Sequence, residues 1–450
     1  MSSDWLEVRV EEIAANGSNA LSTGPFGSSI GSRFFTASGI PVIRGSNLSA
    51  DVGVKLVDEN LVFVSFDKAK EFSRSIAKRG DLVFTCWGTI NQVGLIHDRS
   101  KYPEYVVSNK QMKLTVDPKK VESKFLYYVF SSPEKQREIL SNGIGAAVPG
   151  FNLGQLKKHS FRLPPLNVQQ GIVKVLDSLD AKIDLNRRIN QTLEAMAQAI
   201  FKSWFVDFAP VAAKIAAKAE GRDPLHAAMT AISGKSDAEL DALPTEQFTS
   251  LAATAALFPD ETENSDLGEI PKGWQVNNVG RLLELAYGKA LKAIDRVDGP
   301  IPVYGSGGVT GSHSQALVSH GSVIVGRKGT VGALYWEDGP FFPIDTTFYV
   351  RPIAAPMTYC FYLLQTLGLD KMNTDAAVPG LNRDNVYRLE HVLPSSIALR
   401  AFDSIVSLLR SAIRANTDAS TSLSQLRDAL LPKLLSGELY IESAEAEVAA

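Results

Sequence analysis

The chain has 450 residues, a formal net charge of −3, 45% hydrophobic and 21% charged residues. Such proportions fit a globular protein of two or three domains and exclude a uniformly basic nucleic-acid binder, so any nucleic-acid surface has to be local. No apolar run approaches the roughly 18 residues of a membrane span, and the opening MSSDWLEVRVEE lacks a signal-peptide core. Cys86 and Cys360 have no metal-ligand spacing, so a cytoplasmic protein is expected.

Residues 1–162 read as short strands separated by turns, with a few helices. IPVIRG (40–45), GDLVFTCWG (80–88) and QVGLIHD (92–98) are apolar runs bounded by Gly, Asn and Ser. SKFLYYVFSSPEKQREILSN (123–142) has helical periodicity, with Ser123 as the expected cap and Pro133 as the expected break. From 163 to 208 the apolar residues advance by alternating steps of four and three, the seam of one long helix. Residues 209–265 are alanine-rich, with short helix patterns and a capping box, SDAE, at 236–239. A second strand-rich segment covers 266–392, a second long helix 393–439, and a small acidic tail 440–450.

The second half repeats the first. IPV at 301–303 answers IPV at 40–42, and GSVIVGRKGTVGALYW (321–336) answers GDLVFTCWGTINQVGLIH (80–97). AAVPGLN (376–382) matches AAVPGFN (146–152) at six of seven positions, and Trp274 stands to its segment as Trp5 does to the first. The long stretches align at an offset of 230 residues (Leu163 to Leu393), with Ile172, Leu176, Leu179 and Ile183 over Phe402, Val406, Leu409 and Ile413. An internal duplication of a mixed α+β domain plus a rod is the reading these matches support. About 40 helical residues make a rod on the order of 60 Å long, which suits an antiparallel pair acting as a spacer. Midway, Asn186 and Asn190 lie over Asn416 and Ser420. Asn186 and Asn416 either face each other and fix the helix register or turn to the solvated edge.

No catalytic constellation stands out. The six histidines are scattered, no P-loop is present, GSGGVTG (305–311) reads as a tight turn, and no adenine-methylation or nuclease motif appears. What recurs is polar and basic residues on turns. The first copy has Arg44, Ser46 and Asn47, then Thr89, Asn91 and Gln92, then Asn109, Lys110, Gln111 and Lys113. The second has Lys289, Lys292 and Arg296, then Arg327, Lys328 and Thr330. Arg, Lys, Asn and Gln are the side chains that read base edges, while Ser, Thr and backbone N–H groups hold phosphates. A duplicated DNA reader is therefore expected; a coiled-coil adaptor would account for the rods but not for the paired turns.

These residues bring the chain to a known family. Over nearly its whole length it resembles the specificity (S) subunit of type I restriction–modification systems. The likeness rests on the alternation of globular domain and long helix, on LPPLNVQQ at 163–170, and on the junction FKSWFVDFAPV (201–211) with LFPDETENSDLGEIPKGW (257–274). Gln169 stands where the family has Glu, and the second helix opens LPSSIALR without an acidic residue. The resemblance implies two target recognition domains related by pseudo-twofold symmetry and separated by two long antiparallel, coiled-coil-like helices. Each domain would read one half of a gapped, asymmetric DNA site, the half-sites lying roughly 10 bp apart, centre to centre. It also implies no catalysis and no cofactor in this chain. S-adenosylmethionine, ATP and Mg would belong to two modification (M) methyltransferase subunits and to restriction (R) translocase–nuclease subunits. Trp204 and Phe205 are expected in the core of the second domain rather than at a partner surface. A fused restriction–methylation enzyme of the type IIG kind is the enzymatic alternative, and its motifs are not in the sequence.

Overall fold

The computed structural model describes residues 5–27, 29–144, 149–372, 380–439 and 441. Residues 146–148 and 376–379 of the AAVPG repeat, and nearly all of the acidic tail, lie outside them. The fold is mixed α+β and divides into two compact units, Met1–Arg187 with Thr417–Ala450, and Arg188–Asn416.

The first unit carries a four-stranded antiparallel sheet in the order Leu21–Thr23, Gln111–Leu114, Leu82–Thr85, Val93–Leu95. A five-stranded mixed sheet stands beside it, in which Ile40–Ile43 runs parallel to Glu104–Val107. Every residue of Leu82–Thr85 is buried, which explains its unbroken apolar run. Helix Ser123–Ser131 contributes the buried residues Phe125 to Phe130. The chain breaks at Ser132, whose Oγ accepts the Lys135 N–H, and Pro133 then opens a separate helix to Ser141. The cap of the preceding helix falls at Glu122, one residue before the expected Ser123.

The second unit repeats the four-stranded sheet: Leu283–Tyr287, Thr347–Pro352, Ser322–Gly326, Leu334–Glu337. Ile301–Gly305 pairs in parallel with Phe342–Pro343, so both IPV segments sit in a parallel pairing. Within the stretch 209–265 four helices span Ala209–Ala219, Pro224–Ser233, Asp237–Asp241 and Thr245–Ala256. Ala228, Met229, Leu240 and Ala255 form their small core, and the capping box Ser236–Glu239 is present.

The long helices span Leu166–Phe205 and Ser396–Ser436, and the boundary between the units falls inside both. In the first unit Ile172, Val175, Leu176 and Leu179 share a core with Leu430, Leu431 and Leu434. In the second, Phe201, Trp204 and Phe205 share one with Leu399, Phe402 and Val406. Trp204 is buried there as expected, its ring 5.0 Å from Phe258 and that of Phe205 5.2 Å from both Tyr359 and Phe402. Asn186 donates to Ser420 Oγ at 3.2 Å in the first unit, and Asn416 donates to Asn190 Oδ1 at 2.9 Å in the second. In repeat numbering the two contacts are copies of each other.

Charge also locks the helices. Arg427 Nη1 lies 3.0 Å from Asp180 Oδ1, whose other oxygen meets Lys55 Nζ at 2.8 Å and the Tyr128 hydroxyl at 2.6 Å. Both Arg427 and Asp180 are buried, and Arg427 also reaches Asp51 at 3.5 Å. Removing Arg427 leaves the buried Asp180 with Lys55 as a cation and Tyr128 as a donor, but with one oxygen stripped of its charged partner. Arg427→Ala will therefore cost about 1–3 kcal/mol in unfolding free energy, measured by chemical denaturation.

A second device is pH-dependent. Burial pushes the His391 imidazole down to about 4, with the Asn277 main chain acting the other way. An unfolded histidine titrates near 6.5 and takes up a proton that the folded one refuses. The stability contributed by neutral His391 is full above about pH 6.5 and is lost as pH falls toward 4. Melting temperatures across that window will drop less steeply for His391→Leu than for the parent chain.

Candidate nucleic-acid interface

Both units build the same loop from different side chains. After the strand Leu82–Thr85, the Cys86 N–H donates to the Lys110 carbonyl at 2.7 Å, and the Cys86 carbonyl accepts from Phe151 N–H at 2.8 Å. After Ser322–Gly326, the Arg327 N–H donates to the Thr346 carbonyl at 2.9 Å, and its carbonyl accepts from Leu381 N–H at 2.8 Å. Isolated bridges then join Trp87 to Gly150 and Lys328 to Gly380. One residue on, Gly88 and Gly329 take φ of 94° and 86°, a left-handed turn that leaves Thr89 and Thr330 exposed. Cys86 therefore corresponds to Arg327, Trp87 to Lys328, and Lys110 to Thr346. Burial pushes the Cys86 thiol up to about 12, so it is an inert apolar filler at the place where the second unit has a guanidinium.

A third segment closes each loop. Gly24 N–H donates to the Gln111 carbonyl and Gly288 N–H to the Thr347 carbonyl. A Cβ on Gly24 would stand 1.8 Å from the Ser108 carbonyl oxygen, and one on Gly288 2.1 Å from that of Ile344. Only glycine lets these backbones meet.

The proposed contact residues separate by environment. Thr89, Lys110, Lys289, Lys292, Lys328 and Thr330 are exposed on these loops or beside them. Asn91 is half-buried and lines a hollow with Asp51 and Arg427. Five others are occupied within the protein. Asn47 is buried, accepting from Arg44 N–H at 3.0 Å and donating to the Val57 carbonyl at 3.1 Å, so it holds its turn closed. Gln111 is fully buried beside Ser108, and Gln92 donates to the Leu48 carbonyl at 3.1 Å. Arg44 donates to the Asn60 carbonyl at 3.2 Å, and Arg296 to the Thr310 carbonyl at 2.7 Å. Burial removes Asn47 and Gln111 from any contact surface. Lys113 is likewise buried, 3.7 Å from Asp81.

The structure adds residues that the turn pattern did not single out. Phe26 is 72% and Trp87 51% exposed in the first unit, the latter ring packed on Gly150. In the second unit Tyr287 is 48% exposed, with the Arg327 and Arg383 guanidinium carbons 4.9 and 4.6 Å from its ring centroid. An aromatic residue beside a turn glycine was the available signal for Trp87 and Tyr287. Arg383, from a distant helix, had none. Among the described residues no group of three or more His, Cys, Asp or Glu is placed to hold a metal, and no helix is long and apolar enough to cross a membrane.

Residues 28–195 match the type I restriction modification DNA specificity domain. The HindI type I restriction enzyme specificity subunit of Haemophilus influenzae is 29% identical over 410 residues, spanning 82% of this chain and 88% of the relative. The MjaIX specificity subunit of Methanocaldococcus jannaschii is 23% identical over 400 residues, spanning 83% of this chain and 81% of the relative. Among solved structures, the type I S subunit from M. genitalium aligns over 96% of both chains at 17% identity and a TM-score of 0.49. The HsdS subunit from Thermoanaerobacter tengcongensis aligns over 97% of this chain and 98% of that one, at 16% identity and a TM-score of 0.33.

Two globular units share one loop frame and differ in its side chains. The chain is similar to the specificity subunits of type I restriction–modification systems through one domain match and two curated relatives.

The glycine at the loop closure is testable by stability alone. Gly288→Ala drives a methyl group into a carbonyl and will cost about 1–3 kcal/mol, read as a lower melting temperature. Gly45→Ala, where the nearest atom to a new Cβ is 3.8 Å away, will melt near the parent chain.

Proposed function

We propose that the chain is the specificity subunit of a type I restriction–modification system, that each unit reads one half of a gapped, asymmetric DNA site, and that the long helices set the spacing between half-sites. The supporting observation is the loop frame built twice, with main-chain contacts kept and outward side chains exchanged. A frame that fixes backbone position while its side chains vary suits two different base sequences read in the same way. In the first unit Lys110, Thr89, Trp87 and Phe26 offer one basic side chain beside two exposed rings. In the second, Lys289, Lys292, Arg327, Lys328 and Thr330 offer mostly positive charge. With a chain-wide net charge of −3, attraction to phosphate depends on these local groups.

Methylation and cleavage are assigned to partners. Modification subunits binding S-adenosylmethionine would methylate adenine within the site, and restriction subunits using ATP and Mg would translocate and cut. This chain supplies the address. The test is adenine-methylation mapping by long-read sequencing in cells with and without this chain, the modification subunit being present in both. The expected result is a gapped bipartite motif methylated only when the chain is present. Methylation that persists unchanged without it would overturn the proposal.

A further inference from the structure

Tyr287 has two cations on one ring. Its ring centroid is 4.9 Å from the Arg327 guanidinium carbon and 4.6 Å from that of Arg383, and Phe348 packs beside it at 5.0 Å. Arg327 also lies over Phe348 at 5.7 Å and donates from Nη1 to the Asp345 carbonyl at 3.0 Å. Two rings and a carbonyl fix the plane of its guanidinium, while the remaining N–H groups have no protein acceptor among the described residues. Pre-ordering of this kind reduces what an arginine loses on binding.

Other ring-stacked arginines of this unit are neutralised. Arg351 stands over Tyr349 and pairs with Glu284 at 3.5 Å; Arg410 stands over Trp336 and pairs with Glu194 at 2.9 Å. Arg327 has no carboxylate within 4.0 Å among the described residues, and Arg383 has only Asp384, at that limit. Concentrating two cations on one half-exposed ring, with Asp384 at the 4.0 Å limit of one of them, costs self-repulsion that an anionic partner relieves. The frame of the first unit has nothing equivalent. Thr23 pairs with Met112 as Tyr287 pairs with Phe348, Cys86 takes the place of Arg327, and Leu153, after the cap Asn152, takes that of Arg383 after Asn382.

We propose that Arg327, braced on Tyr287 and Phe348, reads a guanine in the half-site of the second unit, while Arg383 contacts a backbone phosphate there. The inference rests on the DNA-reading role proposed above. Arginine's fork matches guanine O6 and N7, a pairing that favours the correct base by about tenfold or more. A phosphate contact carries no sequence information and affects all sequences equally. The half-site of the first unit is then read without an arginine at the matching position.

The experiment uses the complex of this chain with its modification subunit. Methylation motifs are mapped in cells for the parent, Arg327→Gln, Arg327→Lys and Arg383→Ala. Binding of each purified complex to the mapped site is then compared with binding to sites substituted at each G·C pair. The expected result is that both Arg327 variants lose about tenfold or more of the preference at one G·C pair of a single half-site, the other half-site staying as in the parent. Lysine keeps the charge but not the fork, so it does not rescue. Arg383→Ala is expected to weaken matched and substituted sites alike and to lower the salt slope of binding by about one.

An unchanged base preference in Arg327→Gln overturns the assignment, whether or not affinity falls, because Arg327 then acts as charge alone. Full rescue by Arg327→Lys overturns it for the same reason. Failure of the Arg327→Lys chain to form the complex makes Arg327 structural and overturns it too. A parent chain that directs no gapped motif refutes the DNA-reading role itself, an outcome visible before any variant is made.

Discussion

A helix of forty residues cannot bury its own apolar stripe, and that constraint organises this chain. Two such helices offer two stripes, and each is covered partly by the other and partly by a globular core. In the first unit the early turns of one helix and the late turns of the other join the core around Phe125 and Phe130. In the second the roles are exchanged around Phe402 and Tyr359. Polar contacts then decide the axial level. Asn186 donates to Ser420 and Asn416 to Asn190, so the two mid-length contacts satisfy each other's polar groups across the helix pair. The ion pairs at Arg427 and Arg410 hold each helix pair further out, and both draw their carboxylate from the first helix.

The proposed recognition surface follows a different logic. Its backbone is over-determined by carbonyl–amide contacts, by two glycines with left-handed φ, and by two more where a Cβ has no room. Its outward side chains are not constrained by that frame. Cys86 and Arg327, or Trp87 and Lys328, occupy matching positions with no shared chemistry. The division suits the DNA-reading role proposed above, because new side chains can be tried without disturbing the hydrogen bonds that hold the loop.

Much of this was legible in the sequence because duplication is a pattern, and patterns survive without coordinates. The rods, the paired IPV strands and the recurrence of CWGT as RKGT could each be read from spacing. The axial level of the helices could not, since a period of four and three is satisfied at several offsets. Nor could the difference between an asparagine that reads and one that holds. Asn47 sits in a polar turn beside Arg44 and looks like a contact residue, yet its amide is consumed by Val57 and Arg44. Arg383 was hidden for another reason: almost one hundred residues separate it from Tyr287, and only the fold brings them together.

The pair Asp180–Arg427 spans 247 residues of chain, and this has a consequence for how the protein is made. The second unit is one continuous segment, whereas the first is interrupted by it and needs residues from the far end to finish its core. At about 5–20 residues per second, synthesis of that interval takes on the order of tens of seconds. The unit begun first on the ribosome is therefore completed last. Until Leu430, Leu431 and Leu434 emerge, the early turns of the first helix keep a bare apolar seam. A nascent chain halted before them has a finished second unit and an unfinished first.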